Sequence, residues 1–277
     1  MRPTAEQVIL VTGATDGLGQ AVAGELATRG ATVLLDGRDD GRLADTIEEI
    51  HARTQSQELR AYRADFSSLH EVGDMAERLE RDQERIDVLV NNAGIGSTLP
   101  GDGRRMESRD GHELRFAVNY LAHFLLTRRL EPLIRASAPA RIVNVSSAGQ
   151  AAIDFDDVML ERAYDGTRAY CQSKLAQIML TFDLANELRD AGVTVNCLHP
   201  ATAMPTKIVM HARGGALSTL EEGLEATVRL AADGELEGVT GRYFDGQSEA
   251  GAHAQAYDPE ARRRLRELSE GLVGLGP

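Results

Sequence analysis

Short apolar runs rich in Val, Ile and Leu recur along this chain of 277 residues, and longer stretches of helical period lie between them. We read strands at "QVILV", "ATVLL", "LRAYR", "DVLVN", "RIVNVS", "VTVNCL" and "GRYF". This alternation is the sequence form of a parallel sheet covered on both faces. Helices are predicted near residues 17–29, 40–54, 68–83, 107–130, 168–190 and 218–232. Right-handed crossovers then give an α/β fold: a doubly wound, Rossmann-type parallel sheet of about seven strands, helices on both faces, with the ligand crevice beyond the carboxyl ends of the strands. Active residues should therefore sit just after strands.

No repeat, low-complexity segment or Pro/Gly/Ser-rich linker divides the sequence, and its 42% hydrophobic content suffices for one substantial core. We expect one dinucleotide-binding and catalytic domain over 1–277, with a core of about 6–246 and a mixed-charge helical appendage of about 251–277. A formal charge of −13 argues against a nucleic-acid or anionic-membrane partner. The start lacks the apolar run of a signal peptide, and no segment approaches the roughly 18 apolar residues of a membrane span, so a cytoplasmic protein is expected. Cys171 and Cys197 form no CxxC pair and have no histidine cluster at ligand spacing. They read as packing thiols, with neither disulfide nor metal.

"VILVTGATDGLGQAVAGELATRG" gives a strand, then Gly13, Gly17 and Gly19, then an amphipathic helix. Glycines there permit a tight turn and let backbone N–H groups and a helix N-terminus approach a pyrophosphate. The spacing is GxxxGxG, not the general GxGxxG fingerprint. The second strand ends "LLDGRDD", where an adenine ribose would be read. A carboxylate there suits the hydroxyls of NAD and a guanidinium the 2′-phosphate of NADP, so Asp36 and Arg38 compete.

Farther on, Tyr170 and Lys174 stand at i and i+4 and project from one side of a helix. A free phenol, with a pKa of about 10, exchanges protons poorly at neutral pH. A nearby ammonium favours phenolate and would make Tyr170 a usable general acid or base. An isolated YxxxK could be a structural tyrosine beside a surface lysine; this one is not isolated. Ser146 and Ser147 end the fifth strand, where a hydroxyl can bond a substrate oxygen and stabilise developing charge.

The pieces "TGATDGLG", "ADFSS", "NNAG", "VNYLAHF", "IVNVSS", "YCQSK" and "LHP", in this order, resemble the short-chain dehydrogenase/reductase family from about residue 6 to 246. The long stretch "AAIDFDDVMLERAYDGTRA" before Tyr170 and "VNYLAHFLLT" resemble its retinol-dehydrogenase-like branch. The resemblance implies an oxidoreductase that moves a hydride between NADP(H) and a carbonyl/alcohol pair, with Asn119, Ser147, Tyr170 and Lys174 as catalytic tetrad. Ser147 is favoured over Ser146, and Asn119 is given a water linking Lys174 to solvent.

The same resemblance places the cofactor against Gly13, Thr15, Asp16, Gly17, Leu18 and Gly19, with Asp65 and Phe66 at the adenine. Asn92, Ala93 and Gly94 follow at the adenosine beside Asn91, then Tyr170 and Lys174 at the nicotinamide ribose. Pro200 and Thr202, or Thr206 with one extra residue, stand at the carboxamide. Gly37 fills the position of the NAD-selecting carboxylate and Arg38 follows, which implies NADP, although Asp16 stands where NADP users often carry a base; NAD is the alternative. The substrate implied is a small, fairly apolar carbonyl or alcohol, beneath a flap formed by the long stretch and near Met204, Met210 and Leu217, which could equally be core. His199 reads as structural. A homodimer through the helices bearing Asn119 and Tyr170 is expected. A non-catalytic dinucleotide sensor would have no need of the four tetrad residues together.

Overall fold

The computed structural model describes residues 1–206, 211 and 215–275. The seven expected strands are β1 Val8–Val11, β2 Thr32–Gly37, β3 Leu59–Arg63, β4 Val88–Asn91, β5 Ala140–Val145, β6 Val193–His199 and β7 Tyr243–Asp245. All seven run parallel, and an eighth, β8 Ser248–Ala250, turns back on β7 to give the order β3-β2-β1-β4-β5-β6-β7-β8. β8 escaped the sequence because its three residues are polar or small and carry no apolar signal. Every residue of β4 and β5 is buried, so both sheet faces are covered, whereas the edge strand β3 exposes Arg60 and Arg63. Along β1, Leu10 enters one apolar layer while Ile9 and Val11 enter the other, as the period of two requires.

Helices α1 Gly17–Thr28, α2 Asp40–Thr54 and α3 Leu69–Asp82 follow the first three strands. Asp39 caps α2 by accepting from Arg42 N, and Ser68 caps α3 by accepting from Glu71 N. Ser67, which the sequence offered for the second task, instead donates its N–H to Asp65. The helix predicted over 107–130 starts later. Residues 107 and 113 pair in a short bridge around Gly111, and Glu113 then accepts Phe116 N to open a single turn, α4 Leu114–Phe116. A π-helical segment, Ala117–Leu121, leads into α5 Ala122–Ala136. α6 Gly166–Glu187 follows β5 after a long loop, and α7 Leu220–Ala232 follows β6.

The tail forms α8, Pro259–Leu272, and lies on the groove between α5 and α6. Leu265 is buried, Ser269 Oγ lies 2.8 Å from the phenol oxygen of Tyr120, and Arg262 donates to Asp183 at 2.8 Å. The expected appendage is thus part of the main apolar layer. The dimer expected across the helices of Asn119 and Tyr170 would meet α8 on that face. Among the described residues, no helix is long and apolar enough to cross a membrane.

Candidate active site

The turn after β1 is drawn tight by its neighbours. Gly13 has φ of +63°, and a Cβ there would stand 2.8 Å from Ala93 Cα; at Gly19 it would stand 2.2 Å from Gly13 O. Thr12 Oγ1 accepts the N–H groups of Asn92 and Ala93, and Asn92 Nδ2 donates to Thr12 O at 2.9 Å. The loops after β1 and β4 are thereby one unit, a cradle whose turn is drawn tight at Gly13 and Gly19. That cradle fits a dinucleotide pyrophosphate. Leu18 is buried in the layer beneath.

Asp36 is fully buried and accepts Gly13 N–H at 3.1 Å, with burial pushing its carboxyl up to about 8. It braces the turn from below, so it does not compete with Arg38 for a ribose. A Cβ at Gly37 would come within 2.6 Å of Thr15 Cγ2, so a side chain there would have to displace Thr15. Arg38 is exposed, and Asp16 pairs with Arg42 at 3.2 Å while Arg42 also donates to Thr15 O at 2.7 Å. The acid expected to oppose a 2′-phosphate is therefore faced by a cation that sequence reasoning missed. Arg42 belongs to the next helix, and only the fold brings it to the turn.

Asp65 accepts Ser67 N–H at 2.9 Å and pairs with Arg109 at 3.3 Å. Its desolvation would raise it, but the Ser67 bonds and the charges of Arg109 and Arg38 hold it below the usual carboxylate range. Phe66 turns its ring into the core, edge-on to His123 at 5.2 Å, so only its backbone can face the crevice. Pro200 is buried, and the Thr202 hydroxyl lies 3.1 Å from His199 Nε2, a structural use of both residues. Thr206 stands beside the cradle, its Cγ2 3.3 Å from where a Gly17 Cβ would be. Met204 is buried against Gly223 as core, Leu217 is exposed, and Met210 lies outside the described residues.

At the other end of the crevice, Ser147, Tyr170 and Lys174 come together above β5. Tyr170 keeps part of its surface open to the crevice, and its desolvated phenol is raised above its ordinary pKa, an effect opposed by a hydrogen bond with Ser147. Ser147 Oγ also accepts Gly149 N–H at 3.0 Å. Ser146 Oγ donates to Lys174 O at 2.8 Å, a fixed structural bond that leaves Ser147 as the available hydroxyl. Lys174 Nζ stands 5.9 Å from the Tyr170 ring centroid and donates to Val145 O at 2.9 Å and Gln177 Oε1 at 2.8 Å. The lowering of Tyr170 expected from Lys174 is absent here, because burial dominates and the ammonium is turned to those carbonyls. Burial alone brings Lys174 down to about 7.

Asn119 lies within the π-helical segment, fully buried. Its Oδ1 accepts Ile95 N–H at 2.8 Å, and its Nδ2 donates to Ile95 O and to Ser173 Oγ at 3.1 and 3.0 Å. The side chain clamps the β4 loop to α6. His123 Nδ1 sits 2.9 Å from Asn119 O, and Gly94 lies so close that a Cβ would stand 3.2 Å from Asn119 Oδ1 and 3.6 Å from Lys174 Nζ. The loop before α6 is tied down by Gln172, which accepts Asp154 N–H at 3.1 Å and donates to Val158 O at 2.8 Å.

Comparison with known proteins gives one consistent result. The family model described as short chain dehydrogenase matches residues 7–215. Retinol dehydrogenase 13 of Mus musculus is 39% identical over 97% of this chain and 84% of its own length, and retinol dehydrogenase 14 of Homo sapiens is 35% identical over 97% and 87%. Among solved structures, the RhlG/NADP complex of Pseudomonas aeruginosa superposes with a TM-score of 0.70 at 29% identity, covering 88% of this chain and 97% of that one. A structure from Escherichia coli CFT073 complexed with NADPH gives 0.72 at 26%, covering 87% and 97%.

Proposed function

The chain belongs to the short-chain dehydrogenase family of NAD(P)-dependent oxidoreductases, and from that premise we propose that it transfers a hydride between NADP(H) and a fairly apolar carbonyl/alcohol pair, with Tyr170 as general acid/base. The observation that carries the proposal is the meeting of the Tyr170 phenol, the Ser147 hydroxyl and the Lys174 ammonium at one end of a crevice whose other end is a backbone cradle. When bound, the nicotinamide supplies or takes up the hydride. In the reductive direction the alkoxide left on the substrate needs a proton. Tyr170, held protonated by burial, gives it, and Ser147 donates a hydrogen bond to the same oxygen. Asn119 and Ser173 keep the helix of Tyr170 and Lys174 in register with the β4 loop.

NADP is favoured over NAD by Arg38 at the end of β2, by Thr15, which an acid at Gly37 would have to displace, and by Arg42 against Asp16. The NADP and NADPH complexes of the two solved structures agree with that choice. The retinol named in the relatives supports an apolar alcohol or its aldehyde.

The test follows NADPH absorbance with retinaldehyde and a panel of aliphatic and aromatic aldehydes, ketones and quinones. Turnover is expected with the apolar aldehydes, and Tyr170→Phe should lose about 100-fold or more with NADPH affinity kept. Arg38→Ala should weaken NADPH more than NADH in a fluorescence titration. A Phe variant as fast as the parent would overturn the catalytic reading, and tighter binding of NADH by the parent would overturn the choice of cofactor.

A further inference from the structure

Lys174 Nζ has three protons to place, and the structure supplies two acceptors: the main-chain carbonyl of Val145 and the side-chain carbonyl of Gln177. Gln177 lies three residues on in α6, on the same face, and is itself buried. We propose that Gln177 is a positioning residue for Lys174, its Oε1 and Val145 O forming a seat that fixes where the ammonium stands and how readily it gives up a proton. The inference rests on the reading of Lys174 as part of the reaction machinery.

The seat is rigid because its own supports are fixed. Gln177 O accepts the Thr181 hydroxyl at 2.8 Å, and Gln177 Nε2 lies 3.3 Å from His123 Nδ1. His123 is wedged between Asn119 O and the Thr12 hydroxyl, 3.3 Å from its Nε2, and burial pulls it down to about 3 so that it stays neutral. Thr12 is the residue that holds Asn92 and Ala93. A buried polar chain thus runs from the cofactor cradle through Thr12 and His123 to Asn119 O, with the Gln177 amide packed beside it.

The charge environment makes the choice of glutamine matter. The titratable groups facing Lys174 are Tyr170 on α6 and His123 on α5; β5 offers the Val145 carbonyl and the Ser146 hydroxyl, and the β4 loop offers the backbone of Gly94. None of these is a carboxylate. An amide oxygen holds the ammonium without adding negative charge, so the amine remains easy to deprotonate. A carboxylate at the same place would lock the charge in.

The sequence contains two lysines, Lys174 and Lys207, so lysine labelled at Nζ and Cε gives one side-chain signal once Lys207→Arg is introduced. Its chemical shift is followed by NMR from about pH 5 to about pH 11. Gln177→Glu should move the Lys174 midpoint up by about one unit or more. Gln177→Leu, which removes the acceptor, should move it down. The pH profile of kcat should shift with the midpoint in each variant, which a merely structural role would not produce. If Gln177→Leu does not fold, Gln177→Glu and Gln177→Asn, which draws the oxygen back by one methylene, decide the matter. A midpoint that stays in place in folded variants overturns the seat and leaves the proposed reaction untouched. Failure of every carbonyl to turn over would overturn the reaction and leave the titration standing.

Discussion

Asp36 is wholly buried at the end of β2, and desolvation pushes its carboxyl from 3.8 up to about 8 against the hydrogen bond from Gly13. Between those values the folded chain holds a proton that the unfolded chain has lost, so stability is fully present at the acid end and falls as pH rises toward 8. Asp36→Asn keeps an acceptor for Gly13 N–H and removes the titration. Thermal melts of that variant should be flatter over the same window, with the largest gain over the parent at its alkaline end. Lys174 acts in the opposite sense: brought from 10.5 down to about 7, it makes stability rise as pH climbs through that interval. The chemical groups were readable from sequence because Tyr170 and Lys174 share one helix face and Ser147 ends a strand. Arg42 and His123 were not, because each acts through a partner on another element, which a spacing cannot disclose; Gln177 shares the Lys174 face, but nothing in the spacing says that its amide oxygen turns to the amine.

The turn between β1 and α1 shows how much an element depends on what crosses it. A Cβ at Gly19 would stand 2.2 Å from Gly13 O and 2.4 Å from Asn92 Nδ2, both held in place by the β4 loop. Gly19→Ala should therefore cost about 1–3 kcal/mol of stability and weaken NADPH binding, read by denaturant melts and fluorescence titration. Here the sequence spoke clearly, since glycines after an apolar strand and before an amphipathic helix have few other readings. It spoke less clearly at residues 107–113, where a polar, Gly-containing stretch of helical composition forms a small bridge before Glu113 opens α4. Local pattern was overridden by hydrogen bonding to the rest of the loop, as where Ser108 N donates to His112 O.

Across the whole molecule, the tail is the part whose role was least legible. Its helix buries only Ala261, Leu265 and Ser269, a narrow stripe on a strongly charged surface, so composition suggested an appendage. In place, that stripe seals Tyr120 and Leu180, and Arg262 and Arg266 pair with Asp183. Removing residues from Pro259 onward should uncover an apolar groove and raise self-association above that of the full chain, measured by light scattering. The stretch just before α8 has a second hold on the molecule. Gln255 exchanges two hydrogen bonds with the backbone of Ile153, and Arg264 from α8 stacks 4.6 Å over the ring of Phe155, both in the loop before α6. The far helix is therefore an anchor for the segment that leads into α6, and a lesion in it should loosen residues 153–155 while leaving Ser147, Tyr170 and Lys174 unchanged, read as faster amide exchange there.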